Sequence, residues 1–355
     1  MRKNRAGQRG GGHSRRGSWW LVMAAVLAVP GAVLVALRLV PWDIGTPWIQ
    51  LLSFFPAALM TTTAALAAAV VAACLRPGAP RLLVAALAAA VLAVQFGLVL
   101  DRIVPAAGAD NVQSAALPAG QAAENALPGK RTLTVMAVNV GSTGIDAAAL
   151  LAEVKSRDID ILALPELAPQ GLEELDNAGL ASLLPGRALD VDWAGTGSAL
   201  FARLPLEQVE RVPGSVFYQS RAVGVIPGSS ARVHLTAVHI DSPRPGHTPM
   251  WRAELGQLGE LWQAVPEGEP AILLGDFNAS GDHREFRDLL ARGLTDAAQT
   301  AGKGLVPTWP ANSPVPAFAA LDHVLVSPGI EVMDFDVVTL PGTDHAAVVA
   351  RLAVP

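Results

Sequence analysis

Three stretches of the 355-residue chain carry no charged side chain: residues 17–37, 44–75 and 82–100. Each is close to or beyond the about 20 helical residues needed to cross a hydrocarbon layer of roughly 30 Å. Only Gln95 strongly interrupts the third. Tracts of Ala, Leu and Val this long are rarely buried inside small soluble domains, so the spacing predicts three transmembrane helices. The first stretch alone would suit a signal peptide, but two further spans follow, and anchoring is the expectation. The skewed composition, 51% apolar and 16% charged, is therefore local to the N-terminal third.

Basic residues give the expected orientation. Arg2, Lys3, Arg5, Arg9, Arg15 and Arg16 precede the first span without an acid, and Arg76 and Arg81 flank the second loop. The loop from Pro41 to Trp48 holds Asp43 and no cation. The excess of cations on the cytoplasmic side places the N-terminus and the second loop inside the cell, and three crossings put the rest outside. Trp19, Trp20, Trp42 and Trp48 fall at the expected interfaces. The predicted organisation is a basic cytoplasmic tail (1–17), a three-helix anchor (18–101), an Ala/Pro-rich flexible linker (102–130) and an exported domain (131–355). The single cysteine, Cys74, lies in the second span, which excludes disulfides and thiolate metal sites in the exported part.

From Arg131 onward, β-rich runs alternate with helical patterns: TLTVMAVNV, AAALLAEVKSRD, IDILALPEL, and later ARVHLTAVHI, AILLGDFN and AAVVARLAV. Leu255, Leu258 and Leu261 mark an amphipathic helix before the run at 271. Such alternation, with hairpins in the middle, predicts a layered α/β domain. Within ILLGDFNAS the apolar run ends in Asp276 and Asn278, which an extended chain would place on one side. An Asx-turn after a Gly explains the same residues equally well. Polar residues recur at other strand ends, however: Asn139, Glu166, His239, Asp322 and the pair Asp344-His345. One such residue is unremarkable; eight at six strand ends point to a site.

In order, VNV, ALPEL, GTGSALFARLPL, AVHI, GDFN, LDHVLVS and GTDHAAVVARL resemble the successive motifs of the endonuclease/exonuclease/phosphatase superfamily, the group of deoxyribonuclease I, neutral sphingomyelinase and the inositol-polyphosphate phosphatases. The resemblance spans roughly residues 131–355. It implies a four-layer α/β/β/α sandwich whose site lies where strands of both sheets end, here preceded by three transmembrane helices. The anchor joined to this domain also resembles, by architecture and composition, the VanJ-like glycopeptide-resistance membrane proteins of actinomycetes.

The resemblance implies cleavage of phosphoester bonds with Mg²⁺ or Mn²⁺ as cofactor. Hard oxygen ligands suit these ions, which keep several waters. By this likeness Glu166 is the main metal ligand, assisted by Asn139 and Asp344. His345 matches the catalytic histidine, whose neutral imidazole takes a proton or stabilises the phosphorane, and Asp322 is its orienting carboxylate. Asp276 aligns or deprotonates the nucleophile, and either Asp276 or His345 can be the formal base. Asn278 and His239 bind phosphate oxygens. Arg221 and Tyr218 fall where relatives carry a substrate-facing loop. His247, Trp251 and Arg252 are expected at the mouth, with a solvated loop as the alternative, while His234 and His323 are read as structural.

Charge bears on the substrate. Residues 131–355 contain 15 Lys and Arg against 27 Asp and Glu, a net charge near −12. A protein that grips nucleic acid draws much of its affinity from cations set against phosphates, and this domain is poorly supplied with them. Anchoring at a bilayer would instead raise the local concentration of lipid-linked phosphates. The leading expectation is a membrane-anchored phosphoesterase for a lipid-linked or cell-envelope substrate, with no obligate protein partner. The alternatives are an extracellular nuclease and a non-catalytic envelope-binding protein, the latter disfavoured by the intact polar set.

Overall fold

The computed structural model describes residues 11–40, 44–106, 130–141, 144–228 and 231–355, with side chains from residue 18 onward. Most of the expected linker, residues 107–129, and Trp42 lie outside the described residues. The chain forms two compact units, residues 1–100 and 101–355.

Three helices are long and apolar enough to cross a membrane: Ser18–Leu39, Trp48–Leu75 and Ala79–Ile103, the last ending within the second unit. The first and third run a few residues past the uncharged stretches, because helical backbone continues past the last apolar side chain, whereas the second begins at Trp48, inside its stretch. Two polar side chains, Thr62 and Gln95, are fully buried among them. A Cβ on Gly31 would meet Thr62 Oγ1 at 2.0 Å and Gln95 Nε2 at 3.1 Å, so only glycine lets the helices approach there. Near the end of the first helix Arg38 donates to the Leu98 carbonyl at 3.0 Å.

The second unit starts earlier than the sequence reading places the exported domain. Arg102, expected at the head of a flexible linker, forms a two-pronged ion pair with buried Asp282 at 2.9 and 2.7 Å. Ala106 N donates to Thr300 O. Residues Arg102 and Ala106 are thus bound to the second unit.

Among the described residues, twelve strands build two six-stranded sheets. The first is ordered β11-β12-β1-β2-β4-β3, from β1 (Arg131–Ala137), β2 (Ile161–Pro165), β3 (Gly186–Asp190), β4 (Ser198–Ala202), β11 (Glu331–Val338) and β12 (Ala347–Val354). The second is ordered β5-β6-β7-β8-β10-β9, from β5 (Leu206–Arg211), β6 (Ser220–Val225), β7 (Arg232–His239), β8 (Ala271–Asp276), β9 (Thr295–Asp296) and β10 (Asp322–Val326). The sheets face each other across one apolar core. Leu133, Val135 and Ala137 of β1 meet Val233, Leu235 and Ala237 of β7, Ile272 and Leu274 of β8, and Val324 and Val326 of β10. The alternate residues of the first sheet, such as Met136, Leu162, Leu164 and Phe201, point outward and are covered by helices Ala147–Ser156, Pro169–Asn177 and Leu180–Leu183. Helices Thr248–Gln263 and Arg284–Leu290 flank the second sheet, and Trp251, Leu255, Leu258 and Phe286 are buried. The expected α/β/β/α layering is the observed one.

One glycine is required for this arrangement. Gly275 in β8 has φ +144, and a Cβ there would lie 2.1 Å from the Val238 carbonyl of the parallel neighbour β7. Its absence lets β7 and β8 run in register, with His239 beside Asp276.

Candidate active site

The alternation that builds the core also builds the site. Counting on by twos from the inward residues of each strand, Asn139 follows Ala137, His239 follows Ala237, Asp276 follows Leu274, and Asp322 precedes Val324. The inner face thus turns from apolar to polar at one end of the sandwich. Register then brings three of these residues into a row: His239 pairs with Asp276 across β7 and β8, and Asp276 with Asp322 across β8 and β10. From the other sheet, β1 and β2 run parallel and are followed closely by Asn139 and Glu166, while the antiparallel β12 begins just after Asp344 and His345.

Glu166 leaves the alternation. Its φ is +62, and Asn278 has φ +46, both in the left-handed region that non-glycine residues seldom enter. Strain of this kind costs about 1–3 kcal/mol per residue and clusters at functional sites. The turn at Glu166 carries its carboxylate into an open cleft of about 490 Å³, lined also by Gly141, Asn312, Thr343, Asp344 and His345.

Hydrogen bonds join the groups. Asn139 Nδ2 donates to Glu166 Oε1 at 2.9 Å and to Asp276 Oδ2 at 3.1 Å, bridging two carboxylates from different sheets. His345 Nδ1 lies 2.9 Å from Asp322 Oδ2, and its Nε2 lies 3.7 Å from Asp276 Oδ2. His239 Nε2 lies 3.5 Å from Glu166 Oε1, and its Nδ1 is buried with no partner. Asp344 Oδ2 accepts from Trp309 Nε1 at 3.0 Å. The eight residues expected to act in catalysis or metal binding therefore share one site.

Burial sets the protonation. Burial pulls the His345 imidazole down, but the Asp322 and Asp276 carboxylates outweigh it and raise its pKa to about 10. The two buried carboxylates flanking the ring thus favour the imidazolium over the neutral imidazole expected from the sequence. Burial raises Asp276 to about 7, and burial depresses His239 to about 3, leaving it neutral. Burial likewise raises Glu166, opposed by the Asn139 hydrogen bond.

Asp276, Asp322 and His345 are close enough, with ligand atoms within 4.8 Å of one another, to hold a metal ion. A metal-bound imidazole must be unprotonated, whereas this one is flanked by two carboxylates that favour its proton. The buried trio suits a proton. Glu166 and Asp344 present carboxylates to the open cleft, where a hydrated hard cation has room for its waters. Asn139 Oδ1 accepts from Gly141 N at 3.0 Å. The cleft-facing carboxylates are of the chemistry a hard divalent cation prefers.

Several expectations are corrected. Asn278 is not on the strand face with Asp276: the left-handed turn folds it back, so its N–H donates to Asp276 Oδ1 at 2.8 Å and its Nδ2 donates to Ile240 O. The Asx-turn and the site are one structure. Arg221 pairs directly with Thr236, which alternates with inward Leu235 and Ala237, so it faces away from the inner face and lies 3.4 Å from Glu210. The Tyr218 ring lies 3.6 Å beneath the Arg211 guanidinium. The residue that does reach the site is its neighbour Phe217, whose ring centroid is 4.3 Å from that of His239. Trp251 is fully buried and donates to the Asn278 carbonyl, Arg252 pairs with Glu285, and His247 Nδ1 lies 2.6 Å from Asp241. His323 and His234 are structural as expected, bound to Asp296 and Glu269 respectively.

Some residues of the site have no clear sequence signal. Gln219 Oε1 accepts from the His239 N–H, and Thr308 Oγ1 accepts from the Asp322 N–H. Thr343 Oγ1 donates to Asn139 O at 2.6 Å and accepts from His345 N, tying the ends of β1 and β12 together.

The sequence of residues 136–345 matches the model of the Endonuclease/Exonuclease/phosphatase family. Among solved structures, an endonuclease/exonuclease/phosphatase from Beutenbergia cavernae superposes with a TM-score of 0.52 at 20% identity, over 63% of this chain and 72% of its own. Truncated Caenorhabditis elegans TDP2 gives 0.50 at 22% identity, over 62% of this chain and 97% of its own. D. rerio TDP2 in complex with a single-strand DNA product gives 0.52 at 16%, over 62% and 98%. No curated protein matches the sequence. With the family match spanning more than half of the chain and the two-sheet sandwich in place, the chain belongs to the Endonuclease/Exonuclease/phosphatase family.

Proposed function

We propose that this chain is a membrane-anchored, divalent-metal-dependent phosphoesterase whose hydrolase domain lies outside the cytoplasm and acts on a lipid-linked or cell-envelope phosphoester. The observation that carries the reading is the convergence of Glu166, Asp344 and His345 on one open cleft, backed by the Asp276–Asp322 row. The three N-terminal helices able to span a membrane supply the anchor.

Members of the family are typically divalent-metal dependent. Mg²⁺ or Mn²⁺, held by Glu166 and Asp344 with Asn139 alongside, supplies neutralisation of the phosphate charge when bound. The protein's own groups do the rest. Asp276, oriented by the Asn278 N–H and the Asn139 amide, accepts the proton of the attacking water. His345, fixed by Asp322, faces the charge that builds on phosphorus. Neutral His239 offers a ring nitrogen to a phosphate oxygen, and Phe217 holds that ring in place. Asn278, whose side-chain amide donates to Ile240 O at 2.8 Å and to Asp276 Oδ2 at 3.3 Å, is a positioning residue for Asp276.

DNA, of the kind seen as product with D. rerio TDP2, suits this acidic domain less well than a lipid-linked phosphate. Turnover of a lipid-linked wall precursor, and through it a role in glycopeptide resistance, is the extension of the VanJ-like resemblance. The test is a turnover screen of the full chain with Mg²⁺ or Mn²⁺ against polyprenyl diphosphate, lysophospholipid, sphingomyelin and plasmid DNA. A lipid phosphoester is expected to be turned over fastest. Preference for DNA would establish the nuclease reading, and metal binding without any turnover would establish the envelope-binding one. The orientation has its own check: alkaline phosphatase fused after residue 130 should be active, and an inactive fusion beside an active cytoplasmic reporter would reverse the topology.

A further inference from the structure

The last turn of helix Ala79–Ile103 belongs to the second unit and carries Arg102. This arginine is only 4% exposed, and both prongs of its guanidinium donate to fully buried Asp282. Its backbone carbonyl accepts from Gly304 N at 3.0 Å, and Asp101 accepts from Gln299 Nε2 at 2.7 Å. The fit is close: a Cβ on Gly281 would lie 3.0 Å from Arg102 Nη1. Asp282 stands in the loop between β8 and helix Arg284–Leu290, and that loop leads back to the site. Within it Ser280 N donates to His283 Nδ1 at 2.8 Å, and Arg287 Nη1 donates to the Gly281 and Asp282 carbonyls. The His283 ring stands edge-on to Trp251, with centroids 5.4 Å apart, and Trp251 Nε1 donates to Asn278 O at 3.0 Å. Asn278, at φ +46, directs its N–H and its side-chain amide at Asp276.

We propose that Arg102 is a positioning residue for the reaction: through Asp282 it fixes the loop that holds Asn278 in its left-handed turn, and so aims the Asp276 carboxylate. The proposal rests on the phosphoesterase reading above. A buried ion pair contributes little net stability, because removing two charges from water offsets their attraction. What it supplies is direction. A guanidinium fork meets a carboxylate in one plane, so the pair fixes orientation as well as distance. An apolar pair of similar volume would fill the space and leave the loop free to turn. The backbone at Asn278 needs that support, since a strained conformation persists only where its surroundings over-determine it. The last turn of the third apolar helix thus holds up one side of the site.

The test compares the full native chain in detergent with Arg102→Met/Asp282→Leu, using Mn²⁺ and bis(p-nitrophenyl) phosphate. The double substitution removes both charges together, so it should melt close to the native temperature. It should lose about 10- to 100-fold in kcat, the scale of a misplaced reacting group, with KM within about twofold, because Glu166 and Asp344 are untouched. Val354→Ala, in the core at the far end of β12, is the control. It should lower the melting temperature and leave kcat per folded molecule native. Native kcat in the double variant would overturn the proposal and leave the pair a fastening of the chain. If that variant does not fold, Arg102→Lys decides, since it keeps the charge without the fork. A lowered kcat at native KM supports the proposal, and native kcat overturns it. Should the native chain turn over neither this ester nor any substrate of the screen above, the phosphoesterase reading falls. Hydrogen exchange of residues 277–283 then decides the positioning role, in whichever of the two variants folds. Faster exchange there than in Val354→Ala supports it, and equal exchange overturns it.

Discussion

Glu166→Gln is expected to abolish turnover, by on the order of a hundredfold or more, while leaving the protein at least as stable as before. The carboxamide keeps the length and shape of the side chain at its left-handed backbone position, and removes the charge that holds a hard cation. Metal affinity measured by calorimetry should fall with turnover, and excess Mn²⁺ should restore part of it. Stability should move the other way. Burial lifts the Glu166 pKa above its ordinary value, so the ionised form is disfavoured in the folded state and its contribution is unfavourable once pH exceeds the unfolded pKa. A neutral amide escapes this penalty, and without metal the variant should melt at the same temperature or higher at pH 7. Unchanged metal affinity in Glu166→Gln would remove this residue from the ligand set. A large loss of stability would make it a structural brace for Asn139 instead.

The same electrostatics explains why much of the site can be read from the sequence and part of it cannot. A polar residue at the end of an apolar strand pattern is visible as a break in composition, and alternation fixes which face it shares with the core. Asn139, His239, Asp276 and Asp322 were legible for that reason. Glu166 was legible only as a residue type, since the backbone turn that swings it into the cleft has no pattern of its own. Arg221 and Tyr218 misled because a loop's place in the chain order does not specify side-chain direction, and one residue's difference separates Tyr218 under Arg211 from Phe217 against His239. Thr308, Trp309 and Asn312 come from a Pro-rich loop without periodicity, and their roles arise from contacts with Asp322, Asp344 and Thr343 that only the folded chain defines. The protonation of His345 was likewise out of reach, because it depends on how completely two carboxylates are buried around one ring.

His345→Ala should fold and bind metal normally, yet lose on the order of a hundredfold or more in turnover, the scale typical of a group that handles proton or phosphorane charge. Asp322→Asn should behave similarly. Asp322 Oδ2 sits 2.9 Å from His345 Nδ1, and Asp322 is itself held by the Thr308 hydroxyl at its N–H. An amide in its place keeps the volume but removes one of the two carboxylates that stabilise the imidazolium, so both the ring's orientation and its charge weaken together. The two residues then act as a unit, and the double variant should be little worse than either single one. Fully multiplicative losses would show that they work independently. The competing account is that the segment merely closes the start of β12, where the His345 N–H donates to Thr343 Oγ1 and that hydroxyl donates to Asn139 O. Those bonds use the backbone of His345 and the side chain of Thr343, and neither single substitution removes them. Melting temperatures should fall in His345→Ala, since Asp322 and Asp276 lose their buried counter-charge, but turnover per folded molecule should collapse as well. Lowered melting temperatures with turnover per folded molecule near native would assign this end of the chain to structure alone.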